Sequence, residues 1–306
     1  MSMDEVSFES FCSRFATEKD CVQALYQAKW PNGFCCPRCR HPYAYVISTR
    51  RLPLYECQAC RSQTSLISGT VMEGSRTPLR LWFQAIYLHA RPVGINALQL
   101  SRIIGVTYKT AWLICHKIRH AMSLAERDQL LSGIVSLSDA VYSDRPVASL
   151  EWHKQEQPLI IGASSEETGK VVRIKIKKQN KVPLTSRYDS PDQEIFIREN
   201  VEPTALVRRI VKRRIGRHRD LALVRLCLEA ASYLGQTFHG IGPKHLQVYL
   251  DQYCYIWNRR KQAAFLELLQ FCAITRKITY PKLTGSTPVR SSRPKRHYGV
   301  ASTLVG

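Results

Sequence analysis

Four cysteines in two pairs, Cys36-Pro-Arg-Cys39 and Cys57-Gln-Ala-Cys60, enclose residues 40–56, a C-x2-C-x17-C-x2-C spacing. Zinc takes soft ligands at tetrahedral corners, and a two-residue loop lets each pair close on one ion from a tight knuckle. Cys35 adjoins the first knuckle, but pairing it with Cys39 would make a three-residue loop, so Cys36, Cys39, Cys57 and Cys60 are the expected ligands. So short a segment has little core of its own, and the metal is expected to fold it. The chemistry is that of structural zinc, with no open coordination position.

A second set of residues could meet phosphate. The segment ALQLSRIIGVTYKTAWLICHKI places Gly105 between two helical patterns, with Leu100, Ile104, Val106, Ala111 and Ile114 where a helix-turn-helix buries apolar side chains. Thr107 can cap the second helix. That helix is expected to offer Tyr108, Lys109, Lys117, Arg119 and His120 to solvent, suited to phosphates and base edges. Between Arg208 and Arg219 a basic run includes Arg208, Arg209, Lys212, Arg213 and Arg214, a further candidate for phosphate contact. His239 and His245, flanking Gly242-Pro243, are assigned no chemistry.

The whole chain points to a polyanionic partner. It has 45 lysines and arginines against 24 acids, a formal net charge of +21, and each phosphate neutralised releases condensed counterions. Membrane attachment is the other route to such charge. No apolar run approaches the ~18–20 residues that span a bilayer, and the opening MSMDEVSFES has no signal-peptide core. The expectation is a cytoplasmic, nucleoid-associated protein, or a nuclear one in a eukaryote. Eleven cysteines in a reducing compartment mean metal ligation and buried apolar positions, not disulfides.

The elements that must position these residues read as α+β and multidomain. Residues 5–30 read as helix, with Thr17 and Asp20 resembling a capping box, and the pattern breaks at Trp30-Pro31-Asn32-Gly33. A helix is expected with Thr77 as N-cap and Pro78 in its first position, and two more over roughly 96–104 and 107–122. In the stretch 157–178, Val172, Ile174 and Ile176 alternate with Arg173, Lys175 and Lys177, a half-buried strand with a basic outer face, and SSEETGK is its hairpin turn. From about 220 the chain is helical again, Leu246, Leu250, Tyr253 and Trp257 forming one stripe. The tail from about 284 reads as basic and disordered. The expected divisions are N-terminal helices over 1–33, the ribbon over 34–70, the helix-turn-helix region over 75–125, an α/β domain over 130–275 and the tail over 276–306.

WPNGFCCPRC, YECQACRSQTSLISGTV, PLRLWFQAIYLHA, LSRIIGVTYKTAW and GIGPKHLQVYLDQYCYIWNRR together resemble the zinc-ribbon transposases of the ISXO-like group, related to Merlin-type elements. The resemblance covers about 11–125 tightly and about 235–273 well. It implies double-stranded DNA at element ends as the partner. It also implies a ribonuclease-H-like domain with C-terminal helices, whose carboxylates hold two magnesium or manganese ions for in-line attack on a phosphodiester. A homo-oligomer assembled on DNA is compatible with it.

The sequence departs from that pattern where the acids should stand. The first aspartate of a motif resembling V-x-V-D-E-T-Y falls on Ser138, and the neighbouring Asp139 would point to the opposite face of a strand. After Val201-Glu202-Pro203, where a second aspartate is expected, no acid occurs until Asp220, and the lysine of a third motif falls near Ala230 or Ala231. Asp139 and Asp220 are therefore the catalytic candidates, with Glu229 as a third member of a rearranged site. The resemblance implies strand transfer, and the missing acids imply that it is weak or lost, the alternative being a non-catalytic DNA-binding regulator or a domesticated remnant.

Overall fold

The computed structural model describes residues 7–143, 149–211, 220–260 and 264–284. The expected N-terminal helix is two, α1 (Phe8–Arg14) and α2 (Glu18–Lys29). They break at Phe15–Thr17 because Thr17 starts a new helix: its hydroxyl accepts from the Asp20 N–H while the Asp20 carboxylate accepts from the Thr17 N–H. That reciprocal bonding satisfies two otherwise orphaned donors. Three short strands follow, β1 (Ala44–Ile47), β2 (Leu54–Cys57) and β3 (Gln63–Ser65), in an antiparallel sheet of order β1-β2-β3. Next come α3 (Leu79–Ala90), α4 (Ala97–Ile104) and α5 (Tyr108–Arg127). α3 starts one residue later than expected, with Pro78 itself at the N-cap and no side-chain cap bond.

One continuous core joins these helices to the ribbon. Phe11, Phe15, Phe83 and Tyr87 pack with Phe265 from a late helix, α9 (Ala264–Ile274), and the same core holds Cys36, Cys57, Trp82 and Ile118. The boundary drawn at residue 275 grouped α9 with the α/β region, whereas its buried Phe265, Leu268, Leu269 and Cys272 complete the N-terminal core. Among the described residues every cysteine is a free thiol, and Cys21, Cys115, Cys227, Cys254 and Cys272 are buried.

The second region is a four-stranded sheet of β4 (Ile134–Tyr142), β5 (Gln157–Ser165), β6 (Val171–Lys178) and β7 (Leu206–Val211), in the order β6-β5-β4-β7. β4–β5 and β5–β6 are antiparallel and β4–β7 is parallel, the chain crossing over through α6 (Gln193–Asn200). The β5–β6 turn falls in SSEETGK as expected, closed by the Gly169 N–H on the Glu166 carbonyl with Gly169 at φ 82°. One face of the sheet packs Val135, Leu137 and Ile160 against Phe196 of α6. The approach is close because Gly162 has no side chain: a Cβ there would stand 2.6–2.9 Å from Leu131, Phe196 and Leu137. The other face packs Tyr142, Leu159, Ile161, Ile174 and Ile176 against α7 (Leu221–Phe238) and α8 (Leu246–Asn258).

The basic outer face expected of β6 is not open to solvent. α8 runs along this strand and bonds to its backbone: the Ile174 N–H donates to Asn258 (2.8 Å), the Lys178 N–H to Gln247 (2.7 Å), and the Gln247 amide donates to the Ile176 carbonyl (3.1 Å). An unpaired edge is a template for aggregation, and here helix amides close it. Lys177 pairs with Asp251 at 2.8 Å, and Lys175 is buried, its ammonium 3.4 Å from the Arg127 carbonyl. A short α10 (Tyr280–Thr284) ends the described chain. The tail from 285 onward lies outside the described residues. No helix among the described residues is long and apolar enough to cross a membrane.

Candidate metal centre and nucleic-acid interface

Two equivalent knuckles bring the four cysteines together. In the first, the Arg40 N–H donates to the Cys36 carbonyl (2.8 Å) and the Cys36 N–H to the His41 carbonyl (3.0 Å). In the second, the Arg61 N–H donates to the Cys57 carbonyl (3.0 Å) and the Cys57 N–H to the Ser62 carbonyl (3.0 Å). Each turn closes through a left-handed residue, Arg40 at φ 62° and Arg61 at φ 55°, where glycine would sit without strain. The four Sγ atoms lie within 4.8 Å of one another, with Cys36–Cys60 at 3.7 Å and Cys39–Cys57 at 3.5 Å. A Zn–S bond of ~2.3 Å gives a tetrahedral edge of about 3.8 Å, so the cluster fits one zinc. The backbone N–H of Cys39, helped by that of Arg38, lowers the pKa of the Cys36 thiol, whereas that of Cys39, against the opposing His41 N–H, is raised by the neighbouring thiols and burial, so Cys36 gives up its proton before Cys39. Cys35 is exposed and stands outside the group, as the loop-length argument expected.

The ribbon is anchored from below. Trp30, Phe34 and Tyr55 stack with ring centroids 5.1–5.8 Å apart beside buried Cys36 and Cys57. The Lys29 ammonium donates to the carbonyls of Leu66 (2.8 Å) and Ser68 (2.5 Å) and sits 4.5 Å from the Trp30 ring, so α2 clasps the chain leaving β3. Burial pushes this lysine down to about 8, against the opposing pull of Glu73.

α4 ends in Gly105 at φ 68°, the Val106 N–H donates to the Ser101 carbonyl (3.1 Å), and the Thr107 hydroxyl caps α5. Leu100, Ile104, Ala111 and Ile114 are buried between the two helices and Val106 packs against them. The exposed side of the turn presents Arg102, Tyr108 and Lys109. Farther along, the expectation of a solvent-facing helix fails. Every residue from Ile114 to Arg119 is buried, Lys117 and Arg119 included, because α3, α8 and α9 surround α5. Lys117 lies over the Trp82 ring (5.7 Å), and Arg119 donates to Gln252 (2.6 Å) while lying over Tyr249 (4.3 Å) and Phe238 (5.0 Å). Packed on several sides, the middle of α5 is interior although it carries His116, Lys117 and Arg119. Its first turn is open, as is Arg127 in its last. The available signal was the apolar run Ala111–Cys115, with Ile118, Ala121 and Met122 continuing it beyond the two cations.

The catalytic candidates are not gathered. Ala140 and Tyr142 pack on the α7 side of the sheet and Val135 and Leu137 on the α6 side. Ser138 therefore faces α7, and Asp139 faces away, accepting from the Ser190 hydroxyl (3.2 Å) just before α6. Asp220 caps α7, accepting from the Leu223 N–H (3.3 Å), and Glu229 pairs with Arg225 on the helix surface. Among the described residues the four cysteines are the one group of three or more His, Cys, Asp or Glu side chains placed to share an ion. β7 meets β4 with Val211 opposite Ser138 and carries no acid. Lys212, Arg213 and Arg214 lie outside the described residues, and of Arg208 and Arg209 the structure describes the backbone alone, within β7.

Residues 16–63 match the model of the transposase zinc-ribbon domain of IS1595 type. This chain carries the zinc ribbon of insertion-sequence transposases. Over 145 residues it is 30% identical to an uncharacterized protein in the transposable element ISH50 of Halobacterium salinarum, 47% of each chain being covered. The match thus spans about half of that relative. No solved structure matches the chain. The chain joins this ribbon to a sheet region that carries a serine and an aspartate, on opposite faces, where the resemblance expects its first acid.

Proposed function

We propose that the chain is a DNA-binding protein of the transposase family, acting at the ends of an insertion-sequence element, with strand transfer weak or lost. The observation that carries the reading is the four-cysteine ribbon, which matches that of transposases, packed in one core with the α4–α5 turn. The net charge of +21 supports a duplex partner. On this reading α4 and α5 form the helix-turn-helix, with Lys109 on phosphate and the first turn of α5 nearest the groove. The basic run from Arg208, with Arg209, Lys212, Arg213 and Arg214, supplies further phosphate contacts.

The strand order β6-β5-β4-β7, with β4 and β7 parallel at its centre and margin, supports a ribonuclease-H-like domain. In such a domain two divalent ions would need carboxylates on the face of β4 that carries Ser138. A serine hydroxyl brings no charge to offset two such cations. That observation favours the second reading, a regulator that keeps the DNA-binding parts without the cutting.

Labelled element-end duplex incubated with magnesium or manganese separates the two. Retarded but uncut DNA fits the regulator and a transposase whose strand transfer is lost; cleaved ends overturn the regulator and leave a transposase of weak activity. In the same assay affinity falls steeply with salt, and Lys109→Ala flattens the log–log slope by about one unit, the signature of one lost phosphate contact. An affinity indifferent to salt would break the DNA-binding reading itself.

A further inference from the structure

Beside the first turn of α5 lies a groove of about 320 Å³ whose floor is Arg119 and whose walls include Tyr108, Trp112, Phe238 and Tyr249. The arginine is the odd feature. It is 2% exposed, its Nε is held by Gln252, and among the described residues it has no carboxylate partner. No acid lines the groove either. A guanidinium cannot lose its proton to escape burial, and an unneutralised charge inside a protein is costly. The two aromatic rings stacked against it, Tyr249 at 4.3 Å and Phe238 at 5.0 Å, soften that cost but leave the charge in place. The site is thus built for an anion that carries a flat apolar part.

We propose that this groove takes up one unpaired nucleotide of DNA, its base against the aromatic walls and its phosphate on Arg119. A base pair inside a duplex shows only its edges, whereas an unpaired base offers the π-face that such walls recognise. Tyr108 of the groove wall precedes exposed Lys109 in the first turn of α5, so a duplex held by that turn has its end or a displaced strand within reach. The inference rests on the DNA-binding reading above and adds a preference that reading does not contain.

The test compares two labelled duplexes of the same sequence, one blunt and one with a three-nucleotide unpaired end. The unmodified protein binds the second about tenfold more tightly. Trp112→Leu and Phe238→Leu each remove most of that preference and leave affinity for the blunt duplex unchanged, with thermal melts confirming that the variants fold. Equal binding of both duplexes by the unmodified protein overturns the proposal, as does an equal loss on both in the folded variants. Binding of the unpaired end without the blunt duplex keeps the groove and overturns duplex recognition; binding of neither overturns both. A check independent of any substitution is photocrosslinking from 5-iododeoxyuridine in the unpaired stretch. The adduct falls on a peptide bearing Tyr108, Trp112 or Tyr249, and an adduct confined to other peptides overturns the assignment.

Discussion

The ribbon and the sheet differ in how completely each assembles the chemistry its pattern promises. In the ribbon, four cysteines in two pairs meet within 4.8 Å, each turn shaped by the same pair of backbone bonds. In the sheet the framework is present, with a central strand flanked by an antiparallel and a parallel neighbour, yet Asp139 and Asp220 serve other local bonds. In the sheet the core and the candidate ligands are different residues of the same strands, so packing alone does not bring the acids together.

The comparison is most sharply tested by removing zinc. Cys36→Ser should abolish binding of one zinc per chain, read by elemental analysis, and expose residues 34–66 to proteolysis. Structural zinc contributes on the order of 10–16 kcal/mol to such modules, more than any other single contact here. Because Cys36 and Cys57 belong to the same core as Trp82 and Phe83, the loss should spread into α3 while the sheet region stays protected. Full retention of zinc by the variant would remove the metal assignment.

A smaller effect tests whether the two regions are mechanically separate. Glu126 of α5 is clamped by Arg259 and by the Asn258 amide (2.8 Å) at the end of α8, and Arg259 also donates to Glu267 of α9 (2.7 Å). Arg259→Met should cost about 3–5 kcal/mol, since it strands a buried carboxylate. Urea unfolding should show both regions weakened together; a loss confined to one would mean that the clamp does not couple them.

Acid should distinguish the regions as well. Burial, aided by Arg119, pushes His89 and His116 of the N-terminal core down to about 3. In the unfolded chain such groups titrate near 6.5, so below that pH the unfolded state binds protons that the folded state refuses. Stability is then full above about pH 6.5 and is lost as pH falls toward 3, by about 2 kcal/mol for each histidine at pH 5. His116→Phe, which keeps the ring contacts with Trp112 and Tyr249, should remove about half of what this pair contributes to the fall. An unchanged slope would mean that His116 is already accessible to protons.

How much of this was legible follows from range. The zinc ligands could be read because their signal is a spacing, complete within 25 residues from Cys36 to Cys60. The Thr17 cap and the β5–β6 turn were legible for the same reason. The burial of Arg119 and Lys175 was not, since it depends on α8, whose contribution begins more than 60 residues downstream of Lys175, and that of Lys117 depends on Trp82 of α3. Likewise nothing local tells that Phe265 belongs with Phe11. Ser138 lies between these cases: its opposition to Asp139 is a strand property, but the side that faces α7 became known only from the core residues around it.

The smallest expected effect comes from restoring a single acid. Ser138→Asp places a carboxylate on the α7 side of β4, where the resemblance to transposases puts the first metal ligand. Two divalent ions need several carboxylates, and neither β7 opposite Ser138 nor the described part of α7 facing it supplies a second acid at that place. The variant should therefore leave magnesium-dependent cleavage of element-end DNA at background, and 10 mM magnesium, a roughly millimolar-range probe, should shift its melting temperature no more than it shifts that of the unmodified protein, because a ligand stabilises only in proportion to its binding. A rise in melting temperature with magnesium would mean that a further carboxylate, Asp220 at the start of α7 being the nearest in sequence to β7, reaches the same ion. The opposite break is cleavage by the unmodified protein that Asp139→Asn abolishes. The working face of the sheet would then be the one that carries Asp139 and Ser190, and the sheet region would stand beside the ribbon as a second complete site.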